Sequence, residues 1–320
     1  MRIRILALAA LIAAAPALVA QKSAWQPAPG HLTLHLWPHG APGEPPHPAP
    51  EVNTTTSKDN LVAGRSVIRL GNVSDPTLTL YKPKGRNTRT AVLVFPGGGY
   101  QILAIDLEGT EICRWLNSLG VNCILVKYRV PDSGPYPKSA AALQDAQRAM
   151  GLVREHAAAW HIDPHRIGVI GFSAGGYLAA AISTMDQQRV YTPIDAADKL
   201  SCRPDFAMLI YPGYIAVAEE DMKLNSAIHV TANTPPAFLV QAEDDPVHVE
   251  NVIQYFLALK HAGVPAQMHV YAYGGHGYGL RPVTQSTYIN DVPASNKTPL
   301  PISHWPSLAA AWMRSIGMLK

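Results

Sequence analysis

From residue 66 onward, short runs of apolar and β-branched residues alternate with longer segments whose apolar positions recur every three to four residues. Ala91-Val92-Leu93-Val94-Phe95, Cys123-Ile124-Leu125-Val126, Arg166-Ile167-Gly168-Val169-Ile170, Phe206-Ala207-Met208-Leu209-Ile210-Tyr211 and Ala237-Phe238-Leu239-Val240 have the pattern of strands buried on both faces. Thr77-Leu78-Thr79-Leu80-Tyr81 alternates at period two, which predicts a half-exposed edge strand, and Gln267-Met268-His269-Val270-Tyr271 predicts the last strand. Helical patterns run from Leu107 to Leu119, stopped by Gly120, and from Ala140 to Trp160. Others follow at Tyr177 to Ile182, at Glu250 to Ala262 before Gly263, and at Ser307 to Met318. Strand and helix in alternation predict an α/β domain over residues 66–320: one doubly wound, mostly parallel sheet with helices on both faces. The segments between core strands, 183–204 and 212–235, are too short for a large cap domain.

The first 65 residues follow a different pattern. Residues 1–20 begin with Arg2 and Arg4 and continue as an almost unbroken apolar run to Ala20, with small residues at Ala15-Pro16-Ala17 and Leu18-Val19-Ala20. This predicts a secretory signal peptide, and hence an exported, periplasmic or extracellular protein with no membrane association after cleavage. Residues 21–65 are rich in Pro and Gly and read as an extended arm, with one strand at Leu32-Thr33-Leu34-His35-Leu36. Asn53-Thr54-Thr55 and Asn72-Val73-Ser74 match glycosylation sequons by chance.

Charge narrows the partners. Of 26 Lys and Arg against 23 Asp and Glu, Arg2 and Arg4 leave with the signal, so the remaining chain carries 24 against 23, a net of +1. No basic run is present, which excludes nucleic acid as the expected partner. Three cysteines, Cys113, Cys123 and Cys202, are too few for a disulfide framework. Export permits a Cys113–Cys123 bridge, and two buried free thiols fit the pattern equally. The 13 histidines are scattered without metal-ligand spacing, so no metal and no cofactor are expected.

Sheets of this type bind ligands at the carboxyl ends of their strands, so the residues just after each strand are the ones to inspect. Gly171-Phe172-Ser173-Ala174-Gly175-Gly176 lies between a strand and a helix. A Gly-x-Ser-x-Gly there is a nucleophile elbow, with small neighbours that let the backbone turn sharply under the serine. After Phe95 comes Pro96-Gly97-Gly98-Gly99-Tyr100, whose unobstructed amides suit an oxyanion hole from Gly98, Gly99 and Ala174. Glu243-Asp244-Asp245-Pro246 follows a late strand; Asp245 is the preferred orienting acid, with Asp244 open and Glu243 less favoured. Gly274-Gly275-His276-Gly277 follows the last strand, and its glycines predict a mobile, sterically open loop. Ser173, Asp245 and His276 occur in the order such sheets use. The rivals His248, His261 and His269 fall too close to the acid, in a helix and in a strand. Tyr100, Tyr278, Tyr288 and Trp305 are candidates for stacking on a sugar ring, though Trp305 suits packing against the last helix equally, and Tyr128-Arg129 reads as a buttress of the sheet.

Phe95-Pro96-Gly97-Gly98-Gly99-Tyr100, Asp106-Leu107-Glu108-Gly109-Thr110-Glu111 and Lys127-Tyr128-Arg129-Val130-Pro131 resemble the esterases of the α/β-hydrolase superfamily. Within it, the likeness is to secreted bacterial acetylxylan-esterase-like enzymes, and the elbow, the Asp244-Asp245-Pro246-Val247 turn and Gly275-His276-Gly277 complete it. Pro96 departs from lipase-like members, which have histidine before the glycines. The resemblance implies an α/β-hydrolase fold and cofactor-free acyl transfer on an acylated carbohydrate or small ester, acetylated xylan or its oligosaccharides first. A general short-chain carboxylesterase or a dipeptidyl-peptidase-like hydrolase is the alternative. A catalytically silent binding protein is disfavoured because no triad position is lost.

Overall fold

A computed structural model describes residues 25–44, 48–185, 188–284 and 298–319; the expected signal peptide and Tyr288 lie outside the described residues. Eight strands form the main sheet: β1 (Leu32–His35), β2 (Thr77–Tyr81), β3 (Ala91–Phe95), β4 (Asn122–Lys127), β5 (Ile167–Phe172), β6 (Ala207–Ile210), β7 (Ala237–Ala242) and β8 (Ala266–Tyr271). Their order across the sheet is β1-β2-β4-β3-β5-β6-β7-β8. β2 runs antiparallel to both β1 and β4, and the remaining pairs are parallel. β3, β4, β5 and β7 are buried along their whole length, as continuous apolar strands in a two-sided sheet must be.

Five helices connect or cover these strands: α1 (Glu111–Ser118), α2 (Ala140–His156), α3 (Ala174–Thr184), α4 (Glu250–His261) and α5 (Trp305–Ser315). The step from β3 to β4 and the steps from β4 to β5 and β5 to β6 move in opposite directions across the sheet. Right-handed crossovers therefore put α1 on one face and α2 with α3 on the other. α2 and α3 do pack together, and α1 meets α5 where Trp115 contacts Trp305 at 5.4 Å between ring centroids. The direction of travel reverses beside β3, so the carboxyl ends of β3 and β5 flank the crevice where such sheets bind ligands.

Three expectations from the sequence are revised. β2 is an interior strand rather than a half-exposed edge, because β1 pairs with its outer side and the Thr33 and Thr79 hydroxyls bond at 3.0 Å. The arm is accordingly part of the sheet. Arg148 donates to the Leu36 carbonyl and the Trp37 indole donates to Asp145, both on α2. The helical pattern from Leu107 divides into a π-turn at Asp106–Thr110 and then α1. Arg129 pairs with Asp145, and the Tyr128 hydroxyl donates to the Pro96 carbonyl, consistent with a buttress.

Cys113 on α1 and Cys123 on β4 form a disulfide, while Cys202 is buried outside it. The segments after α3 and β6 hold only a 3₁₀ turn at Ala197–Lys199, another at Ala218–Glu220, and the two-residue pairing of Ala216–Val217 with Lys223–Leu224 among the described residues. No described helix is long and apolar enough to cross a membrane.

Candidate active site

Ser173 joins β5 to α3 with φ at 52°, a conformation that L-residues other than glycine rarely adopt. Its neighbours explain how the turn closes. A Cβ on Gly171 would lie 1.9 Å from the Gly175 carbonyl oxygen, and one on Gly175 would lie 2.1 Å from that of Phe95. Both positions require glycine on steric grounds. The turn leaves Ser173 partly exposed at the end of β5.

His276 reaches this serine from the loop after β8. Its Nε2 lies 2.8 Å from Ser173 Oγ, and its Nδ1 lies 2.9 and 3.0 Å from the two carboxylate oxygens of Asp245. Asp245 is buried, with its side chain fully shielded and the His276 side chain 20% exposed. The Val247 amide and the Gln241 side chain also donate to Asp245, one to each carboxylate oxygen. Of the neighbouring acids, Asp244 turns away and accepts the Gly274 and Gly275 amides at 2.9 and 2.8 Å. The structure thus puts Asp245, and not Asp244, against the imidazole. His248, His261 and His269 take no part; His269 bonds Gln267 within β8.

The histidine loop is held at both ends, contrary to the mobile loop read from its glycines. Asp244 holds Gly274 and Gly275, the Gly279 amide donates to the Tyr211 hydroxyl at 2.9 Å, and the Trp305 indole donates to the Gly279 carbonyl at 2.9 Å. Two residues on, Arg281 is buried and pairs with Glu111 and Asp106. Two of its glycines serve close approach: a Cβ on Gly274 would sit 2.5 Å from Ile302 Cδ1, and one on Gly279 would sit 2.9 Å from Leu107 Cδ1.

The glycine turn after β3 separates into two functions. The Gly97 amide donates to the buried Glu108 carboxylate at 2.7 Å. The amides of Gly98, Gly99 and Ala174 have no acceptor among the described residues. Ala174 is moreover the first residue of α3, where the helix leaves its N–H groups unbonded and its dipole favours negative charge. Gly98 and Gly99 adopt φ of 134° and 62°, the first a conformation that glycine alone adopts readily and the second one that other residues adopt rarely.

Two sequence-predicted substrate contacts are corrected. Tyr100 is fully buried between Tyr128 and Tyr214, and Tyr278 is 4% exposed against Tyr211, so neither presents a ring face to a substrate. Both are too enclosed by the aromatic core beneath the site. Trp305 is likewise buried, against Trp115 and Phe172. Tyr214 is half-buried, and its hydroxyl lies 4.0 Å from the position of a Cβ on Gly99. Tyr211 and Tyr214 both follow β6, so inspection of that strand end, by the rule already applied to the others, would have found them.

The family model of the α/β hydrolase fold matches residues 92–233. The chain is 31% identical over 243 residues to an acetylxylan esterase of Xylanibacter ruminicola, covering 68% of this chain and 47% of that protein. It is 29% identical over 204 residues to an ethyl acetate hydrolase of Pseudomonas putida, covering 56% and 63%. This chain therefore spans about half the length of the acetylxylan esterase it matches. Among solved structures, an acetyl ester-xyloside bifunctional hydrolase from Caldicellulosiruptor lactoaceticus superposes with a TM-score of 0.63 at 34% identity, covering 78% of this chain and 91% of that one. A likeness at 34% identity that extends over nine-tenths of a solved relative, with the elbow after β5, establishes that the chain belongs to the α/β-hydrolase family, alongside members named as ester hydrolases.

Proposed function

We propose that the protein is an exported serine esterase that removes short acyl groups, acetyl first, from carbohydrate such as acetylated xylan or its oligosaccharides. The observation that carries the reaction type is the continuous hydrogen-bonded line from Ser173 Oγ through His276 to Asp245, beside three unbonded amides. In this reading His276 Nε2 accepts the Ser173 proton as Oγ bonds to the ester carbonyl carbon. Asp245 holds the imidazole in the tautomer whose Nε2 is free to accept, and stabilises the imidazolium. The amides of Gly98, Gly99 and Ala174 receive the oxyanion, each worth on the order of 100- to 1000-fold in rate. His276 returns the proton to the departing alcohol oxygen, the acyl–serine forms, and water attacks it by the same route.

The carbohydrate assignment draws on the names of the acetylxylan esterase and the acetyl ester-xyloside hydrolase, and on a site with no large described segment folded over it. A bulky alcohol moiety suits such a site. The apolar start of the sequence supports export, and so does the Cys113–Cys123 bridge, since disulfides persist mainly in oxidising compartments. The likeness to an ethyl acetate hydrolase favours a general short-chain carboxylesterase as the second reading.

The test compares wild type and Ser173→Ala on 4-nitrophenyl acetate, longer acyl esters, a peptide amide and acetylated xylan. Acetate release from xylan well above hydrolysis of long acyl esters is expected, with the alanine variant down about a million-fold in kcat. Equal rates on long chains would replace the sugar reading with the general one. Activity surviving in the alanine variant would remove Ser173 from the mechanism.

A further inference from the structure

Asp106-Leu107-Glu108-Gly109-Thr110-Glu111 carries three carboxylates, two of which share Arg281 while the third does not. Asp106 accepts the Ile68 amide at 2.8 Å and pairs with Arg281, and Glu111 pairs with Arg65 and Arg281. Glu108, on the π-turn between them, is 3% exposed. Its Oε2 accepts the Gly97 amide at 2.7 Å, and its Oε1 accepts the Tyr211 hydroxyl at 2.8 Å. That hydroxyl in turn accepts the Gly279 amide, so its own proton is left for Glu108. A Cβ added at Gly97 would lie 2.7 Å from Glu108 Oε2 and 2.8 Å from Ser173 Cβ, so the carboxylate and the nucleophile are separated by little more than the room of one methyl group.

The bonding pattern suits the ionised form, since both oxygens accept and neither needs a proton. Among the described residues no lysine or arginine nitrogen lies within 4.0 Å of this carboxylate. Burial pushes the Glu108 carboxyl up. The Tyr211 and Gly97 hydrogen bonds and the charge of His276 pull it down, and the neighbouring Asp106 pushes it up again. Tyr128 also lies within the field of Glu108. The groups around His276 are Ser173, Asp245, the Tyr211 ring at 4.9 Å between centroids, and the charge of Glu108.

We infer that Glu108 is a positioning residue for acyl transfer. It locks the glycine turn that supplies the oxyanion amides to the loop that carries His276, through Gly97 on one side and Tyr211–Gly279 on the other. Its buried negative charge also favours the imidazolium that forms when Ser173 is deprotonated. The role rests on the serine-esterase reading of the site and extends it to a second carboxylate that touches no reacting atom. Glutamine at 108 has one acceptor oxygen for two donors, so either the glycine turn or the tyrosine tie must loosen.

Glu108→Gln and Tyr211→Phe, each with Ser173→Ala as the reference for a dead nucleophile, test this on 4-nitrophenyl acetate across pH. Glu108→Gln is expected to lower kcat about 10- to 100-fold with KM nearly unchanged, the scale of a small misplacement of reacting groups. The acid limb of its kcat/KM profile is expected at lower pH than in wild type, because a buried negative charge beside the reacting groups is gone. Tyr211→Phe keeps the ring against His276 and is expected to lower kcat about 10-fold, with the limb moved less. A purely structural role would change the folded fraction and leave both the limb and kcat per folded molecule in place, and that result overturns the inference. If Glu108→Gln does not fold, Tyr211→Phe with wild-type kcat overturns it by itself. An inactive wild type, or an active Ser173→Ala, defeats the esterase reading and this inference with it. An active wild type, a dead Ser173→Ala and unchanged Glu108 and Tyr211 variants defeat the inference alone.

Discussion

Two carboxylates lie buried near His276, and they differ in everything except burial. Asp245 bonds the imidazole directly, with the Val247 amide and Gln241 as its other donors. Glu108 reaches the same centre only through others: the Gly97 amide and the Tyr211 hydroxyl. Asp245 stands just past the end of β7, where an α/β sheet presents side chains to its crevice. Glu108 stands on a π-turn leading into α1, a place with no rule attached to it except that such turns are frequent at functional sites. The difference teaches that one acid orients a reacting group and the other orients the backbone around it. Loss of the first should disable the chemistry, and loss of the second should misplace it.

The most severe test of that division is Asp245→Asn. Its amide would donate to His276 Nδ1 and favour the tautomer whose Nε2 carries a proton and cannot accept one from Ser173. A fall in kcat of about 10⁴-fold is expected, with the fold retained and KM little changed. Steady-state kinetics with a melting curve checks it. A variant within tenfold of wild type would mean that His276 takes its orientation from elsewhere, and the comparison with Glu108 would collapse. The 10- to 100-fold loss expected of Glu108→Gln lies well below that figure.

What the sequence disclosed about these two residues follows from where each sits. The strand pattern was clear because β3, β4, β5 and β7 are buried on both faces and therefore apolar throughout. Once the strands are found, the rule about carboxyl ends points to Ser173, the glycine turn, the acids at 243–245 and His276. That rule leads to a loop and goes no further: Asp244 and Asp245 are adjacent, and only the path of the chain decides which one meets the ring. Glu108 was hidden for another reason. Its segment has the spacing of a helix, and an acid near the start of a helix reads as complementing its dipole. Tyr100 and Tyr278 failed in the opposite sense, because a tyrosine beside a glycine loop looks available until the aromatic layer under it is built. The protection of β2 was invisible too, since its partner β1 lies in the arm, more than forty residues upstream.

The pair Asp244 and Asp245 offers a finer version of the same contrast. Asp244 holds the amides of Gly274 and Gly275 and has its role in the loop rather than in the ring. Asp244→Ala removes the acceptor of two amides and is expected to lower stability by about 1–3 kcal/mol and kcat several-fold. Asp244→Asn keeps an oxygen in place and is expected near wild type in both. Urea melts and kcat for the two variants read this out. A fall for Asp244→Asn as deep as that for Asp245→Asn would show that the two acids share one function.

The smallest expected effect separates Glu108 from Asp245 without using activity at all. Burial raises the Glu108 carboxyl above its ordinary value of 4.5. Between that value and the raised one, the native protein keeps a proton that the unfolded chain has released. The proton's contribution to stability is therefore complete below the ordinary value and is lost as pH rises through the raised one. Glutamine has no such proton, and its loss of one acceptor does not vary with pH. Wild type should melt higher than Glu108→Gln at acid pH, and the gap between the two should narrow as pH rises. Calorimetric melting temperatures at intervals from about pH 4.5 upward measure the gap directly. A gap that widens with pH would mean that the carboxylate is stabilised rather than strained by its site, held by a charge that the two hydrogen bonds and His276 do not account for. The backbone clamp and the charge beside the imidazolium would both survive that outcome, and only the strain assigned to burial would be withdrawn.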